Sequence, residues 1–294
     1  MGILGIFGKT FDILKSNPRA ILPYLIVTAF FGGIVLYTVF SGLSTAYGIN
    51  VFGPATATHG LTNASSLVPF YMGLVPVVAA LLLVSLFINP LLLGMYLSMA
   101  DQGYNKKKVS LGGALEVAKR NYAKLFAVGV AIAAIWLAAI GALAAIFLLP
   151  LVMGGFGAAA VLWLLLGALV FLVVAVVLGI LLYEAFAIVV LEHTGAIAAI
   201  KRSIEIGRKN MRNIFAVFIV LGVIVVAYSI ALALFQIAME FAFSGFSVPL
   251  VGALVAQAVN FLLGSVMGAW FALLPAGVYF EFAKKVRSSK RRKG

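Results

Sequence analysis

Long apolar runs alternate along this chain with short segments in which apolar residues recur at helical spacing. Six runs, roughly 20–43, 70–99, 125–149, 158–190, 213–242 and 251–282, are long enough to cross a bilayer, which takes about 20 apolar residues. Backbone groups surrounded by lipid must be bonded within their own segment, so each run predicts a helix and the fold class is all-α. Ahead of each odd-numbered run lies a segment of another kind. Ile3, Ile6, Phe7, Phe11 and Leu14 share one face of the first, with Lys9, Asp12 and Lys15 elsewhere on the wheel. The second sets Leu111, Leu115 and Ala118 on one face and a Glu116–Arg120 pair at i,i+4. The third opposes Ile197, Ile200, Ile204, Gly207 and Met211 to a stripe of Lys201, Glu205, Arg208 and Arg212. These patterns predict amphipathic helices lying in the membrane interface.

The three segments align. Lys15-Ser16-Asn17, Lys119-Arg120-Asn121 and Arg208-Lys209-Asn210 each end a basic stretch in Asn, and a long run opens four residues later at Ile21, Leu125 and Ile214. Asn ends one helix and caps the next readily, so each is expected to be an elbow. Glu192 and Glu281 each follow their elbow Asn by 71 residues, and the first repeat, with its longer outer loop, ends LGMYLS with Ser98 in the acid's slot and Asp101 three residues on. The chain therefore reads as one membrane domain, 1–283, with repeats 1–100, 101–192 and 193–283, and a basic cytoplasmic tail, 284–294. Each repeat is an interfacial helix followed by a transmembrane hairpin, and three parallel copies suit a pseudo-threefold bundle.

Charge orients the hairpins. All 21 Lys and Arg residues fall in four patches at the same ends of the runs, and the loops near 44–68, 150–157 and 243–250 hold none. Basic residues stay on the cytoplasmic side, so both termini are expected inside a cell-membrane, multi-pass protein. Asn63-Ala64-Ser65 is then a glycosylation sequon in an outer loop. The hydrophobic content of 64%, with 10% charged residues, excludes an ordinary soluble domain. A net charge of +13 would suggest nucleic acid in a soluble protein. Here it sits at span ends, where orientation and anionic headgroups account for it. The opening segment is broken by Lys9, Asp12 and Lys15 and does not read as a cleavable leader. With no cysteine, disulfides and thiolate chemistry are excluded.

The stretch from Val189 to Phe215, through Glu192, Ala199, Ser203, Arg208 and Asn210, resembles a prokaryotic family of six-span membrane proteins. It includes YciC-like proteins and the membrane domain attached to some glycerophosphodiester phosphodiesterases. The opening Asn17-Pro18 and Pro23 resemble the start of the same proteins. The resemblance implies a shared layout and no activity, because the phosphodiesterase chemistry belongs to a separate soluble domain.

Candidate chemistry is sparse. His59 and His193 are the only histidines, Glu192-His193 lacks the second His of a zinc-protease helix, and no nucleophile elbow or phosphate loop occurs. No cofactor or metal and no catalytic residue is expected. Gln236 and Glu240 on the fifth run, with Gln257 and Asn260 on the sixth, form a candidate polar site in the membrane. Glu184 is a second embedded acid, expected in an ion pair. The elbows and the polar span ends Asp101, Glu192 and Glu281 suggest a ring of such pairs. Small residues at i,i+4 spacing (Asn260, Gly264, Gly268, Ala272, Ala276) suggest close helix packing on the sixth run, and Ala127, Ala131, Ala134, Ala138 and Gly141 do so on the third. The expected function is a non-enzymatic membrane component that meets anionic lipids, or a membrane partner, at its cytoplasmic face. The candidate contacts are Lys15, Arg19, Lys119, Arg120, Lys124, Lys201, Arg208, Lys209 and Arg212. The alternative is a small-solute or lipid transporter that uses the polar site of the last hairpin.

Overall fold

A computed structural model describes the backbone of residues 2–47, 67–105, 108–154, 158–244 and 249–283, and side chains over 2–34, 75–105, 108–148, 160–239, 241–243 and 255–283. Asn63, His59 and the basic tail lie outside these residues. The described chain is helical with no strand: α1 Ile3–Ser16, α2 Leu22–Tyr47, α3 Leu67–Tyr104, α4 Leu111–Gly154, α5 Ala158–Leu182, α6 Ala185–Glu192, α7 Ala196–Lys209, α8 Met211–Ser244 and α9 Pro249–Val278. A short 3-10 turn, Pro18–Ile21, joins α1 to α2, and a π turn, Tyr279–Ala283, ends α9 after Pro275.

Five segments among the described residues are long and apolar enough to cross a membrane: Val75–Tyr104, Leu111–Leu148, Ala160–Glu192, Met211–Phe243 and Val255–Ala283, and Pro18–Ile34 is a shorter apolar helix. Large apolar side chains face outward along them, Leu137, Leu162, Leu165, Val223 and Leu234 among them. Water would penalise such a surface and lipid does not, as the all-α membrane reading requires.

The elbows differ from one another. Asn17 closes α1, and the proline after it holds it out of the helical region, at φ −137°, ψ 69°. Asn210 is the single residue between α7 and α8. At Asn121, where the sequence predicts a third elbow, α4 runs straight through as a helix of 44 residues, about 66 Å long. The second amphipathic segment is therefore an upright extension of its span. No proline follows Asn121, and its side-chain amide donates within the helix to the Val117 carbonyl, at 2.9 Å. Asn17 and Asn210 make the same bond, to Ile13 at 3.0 Å and Ile206 at 3.1 Å. The bond is shared by all three, and it does not decide whether the helix breaks.

Packing divides the chain into two compact units, Met1–Ala20 with Pro90–Phe235 and Ala269–Gly294, and Ile21–Asn89 with Gln236–Gly268. In the first unit α4 packs on α5, α6 and α7, and α7 packs on α5 and α6. Three close approaches recur there, each at a glycine. A Cβ on Gly94 of α3 would lie 3.1 Å from the Ala118 Cβ of α4, and one on Gly207 of α7 would lie 2.9 Å from the Ile180 carbonyl of α5. One on Gly277 of α9 would lie 2.7 Å from the Ile6 side chain of α1. The three amphipathic segments thus meet three different helices, α3, α5 and α9. Ser203 and Thr10, both seven residues before an elbow Asn, lie in two of these contacts. Ser203 donates to the Leu181 carbonyl at 2.7 Å, and Thr10 accepts from the Trp270 indole at 3.1 Å.

In the second unit the small residues of α9 let α2 approach. Tyr24 packs where a Gly268 Cβ would stand, and the Phe261 ring packs against Gly32. Gly268 therefore lies in packing within the chain. The stripe on α4 does not, for Ala127, Ala134, Ala138 and Gly141 are exposed.

Candidate functional site

The basic face is built from the ends of α1, α4 and α7 and the start of α8. Helices whose apolar faces are buried must present their polar stripes, and Ile6, Phe7, Ala114, Ala118, Ala199 and Ile206 are all buried. All nine candidate cations, Lys15, Arg19, Lys119, Arg120, Lys124, Lys201, Arg208, Lys209 and Arg212, are consequently exposed. Two of the nine have partners among the described residues. Lys124 donates to the His193 carbonyl at 3.3 Å, satisfying the end of α6 where His193 turns left-handed at φ 55°. Lys209 pairs with Glu205 at 2.8 Å, and Glu205 also takes Arg202 at 2.6 Å.

Two open clefts indent this face. One of about 610 Å³ is lined by Ser16, Asn17, Arg19, Lys108 and Ser110. Another of about 600 Å³ is lined by Arg208, Lys209, Asn210, Arg212 and Asn213. No carboxylate among the described residues lines either one. Lys108 was missed in the list of candidate contacts because it belongs to a run of three lysines with no helical pattern around them. Its approach to Arg19 joins residues far apart in the chain.

At Asp101 and Glu192 the expected ion pairs do not form among the described residues. Asp101 accepts from the Asn105 amide at 2.8 Å, and Glu192 accepts from the Tyr279 hydroxyl at 2.8 Å. Neither meets a cation among the described residues. Glu116 and Arg120 likewise stay apart, both exposed, since solvent leaves little to gain from closing such a pair. Lys9 takes a different partner, its ammonium 4.2 Å from the centre of the Tyr104 ring.

Glu184 departs furthest from expectation. It is fully buried in the turn between α5 and α6, and neither carboxylate oxygen has a hydrogen-bond partner among the described residues. The expected ion pair is absent. The polar residues of the last hairpin all fall in the second unit. Gln236, Gln257 and Asn260 are half-buried with no hydrogen bond among the described residues, and the Glu240 side chain lies outside them. No group of three or more His, Asp or Glu side chains suited to a metal occurs among the described residues.

No curated protein and no solved structure matches the chain. A family profile matches residues 1–281, nearly the whole length, and its description is a domain of unknown function, DUF7847. The chain, with its helical fold and exposed basic face, belongs to that family.

Proposed function

We propose that this chain is a six-span integral membrane protein, built as three repeats, whose basic cytoplasmic face holds anionic lipid headgroups. The observation that carries the reading is that all nine candidate cations are exposed, beside two clefts without a carboxylate among the described residues. Headgroup phosphates compensate such a cluster, each nearby Lys or Arg contributing about 1 kcal/mol at an anionic surface. The shared Asn bond and the three glycine contacts support the repeats. The 26 residues of α2 are enough for the sixth span. The reading is non-enzymatic. It places the protein beside the YciC-like and phosphodiesterase-linked membrane domains that the Val189–Phe215 stretch resembles.

The test is lipid preference. In nanodiscs mixing phosphatidylglycerol and phosphatidylcholine, the wild type should enrich the anionic lipid. Neutralising Lys119, Arg120, Arg208 and Lys209 together should weaken that enrichment. Unchanged enrichment would remove the reading, and copurification of a stoichiometric membrane protein through the same cations would replace lipid by a partner.

The alternative, transport through the last hairpin, is supported by three half-buried amides that have no hydrogen bond among the described residues. In liposomes Glu240→Gln should then alter pH-dependent solute flux without touching lipid preference. Flux equal to wild type for every solute class tried counts against transport.

A further inference from the structure

α5 and α6 are two parts of one apolar segment, Ala160–Glu192, long enough to cross a membrane, and Tyr183 and Glu184 form the turn that divides it. Glu184 lies eight residues before the end of that segment at Glu192, about 12 Å along a helix. It is 0% exposed, and both carboxylate oxygens are enclosed with no hydrogen-bond partner among the described residues. The break is held in place on either side. The Glu184 carbonyl accepts from the Ile188 N–H at 2.9 Å, which starts α6. Just ahead of the break α7 is docked, with Ser203 donating to the Leu181 carbonyl at 2.7 Å and Gly207 set against the Ile180 carbonyl and the Leu181 Cα. Nothing in this packing needs an acid, for an apolar side chain would fill the position without the desolvation cost.

The charged groups on the helices packed against α6 are exposed or engaged elsewhere. On α4, Glu116, Lys119 and Arg120 are exposed, and Lys124 donates to the His193 carbonyl. On α7, Lys201 and Arg208 are exposed, and Arg202 and Lys209 are paired with Glu205. On α6 itself Glu192 accepts from the Tyr279 hydroxyl, and the ring of the neighbouring Tyr183 packs edge-on against Phe218. No described side chain therefore compensates a charge on Glu184. An enclosed charge without a counter-charge is costly. The smallest species that removes it is a proton, which needs no cavity. Ionisable groups so placed inside a membrane mark proton and ion pathways.

We propose that Glu184 is a proton-binding site inside the membrane domain, loaded from the basic end of its span and closed over by α7. The carboxylate takes a proton from hydronium, releasing water, and returns it by the reverse transfer. One positive charge enters the interior of the protein with each loading. The site stands apart from lipid contact at the basic face, and either holds without the other.

Infrared difference spectroscopy of the full chain in nanodiscs, recorded as the pH is raised and lowered, tests it. Wild type should show a protonated-carboxyl C=O band that is lost at high pH and regained at low pH. Glu184→Gln should lack that band, and Glu184→Asp should shift its frequency and keep it reversible. The Asp variant retains a carboxyl at the same place, so it assigns the band even where the Gln variant unfolds. A band untouched by both substitutions belongs to another group and overturns the proposal. A Glu184 band that stays constant at every pH also overturns it, making the residue a fixed structural acid. So does a Glu184 carboxylate present throughout, which means that a counter-ion holds it. Loss of the band on adding sodium at constant pH would assign the site to an alkali-metal ion and overturn the proton assignment. A band indifferent to sodium supports it.

Discussion

Two residues show what burial costs here. Glu184 places an unpartnered carboxyl inside a turn between two helices. An unsatisfied buried polar group costs about 1–3 kcal/mol, and an apolar side chain of similar length escapes that cost. Glu184→Met should therefore raise thermal stability in detergent by about 1–3 kcal/mol. A loss of stability in the same melt would show that the carboxyl has a stabilising partner. Ser203 is the opposite case. Its bond satisfies the Leu181 carbonyl beside that turn, and Ser203→Ala should cost about 1 kcal/mol. At Gly207 even a methyl group meets backbone, 2.9 Å from the Ile180 carbonyl and 3.0 Å from the Leu181 Cα. Backbone cannot rotate away, so Gly207→Val should cost about 1–3 kcal/mol or more. If both variants melt with the wild type, the docking of α7 on α5 contributes nothing to stability.

Among the elements, α4 and the α7–α8 pair carry related sequences into different shapes. Both have a cation before Asn and an apolar run after it, and both asparagines donate to the carbonyl four residues back. One segment is a single rod. The other bends, with α7 held against α5 through Ser203 and Gly207. A chain with no native cysteine makes the contrast measurable by paired spin labels. Gly112 and Ala133 are exposed and bracket Asn121, and Lys201 and Gly222 bracket Asn210 at the same offsets. A straight helix separates either pair by about 32 Å. The first pair should give that backbone spacing and the second a clearly shorter one. Equal distances would mean that the two elbows have one geometry.

For the whole molecule, charge predicts an orientation that labelling can test. With every Lys and Arg at one set of span ends, inverting the protein would move basic residues across the membrane, which insertion strongly disfavours. A single cysteine at Asn105 or at Lys201, both exposed, should react with an impermeant maleimide only after the cytoplasmic side is opened. One at Asn63 should react in intact cells. Labelling of Asn105 from outside would reverse the topology and move the basic face away from the cytoplasmic leaflet.

Hydropathy and charge were legible without coordinates because both act one residue at a time. A run of apolar residues near 20 long is helical in lipid whatever its neighbours do, and a lysine marks its side of the membrane from its own hydration. Exposure of all nine candidate cations followed from the same logic. Contacts between distant residues were not legible. Nothing in Asn121 or Asn210 says which helix will break, since both donate to the carbonyl four residues back and both segments meet a neighbouring helix at a glycine. Nothing local to Arg19 shows that Lys108 shares its cleft. The solitude of Glu184 was equally hidden, since a partner is a matter of reach and no cation reaches it among the described residues. The sequence alone determined an all-helical chain with several apolar runs of membrane length, because hydropathy acts residue by residue. Tertiary structure decided which elbows break and which cations share a cleft, because both depend on residues far apart in the chain.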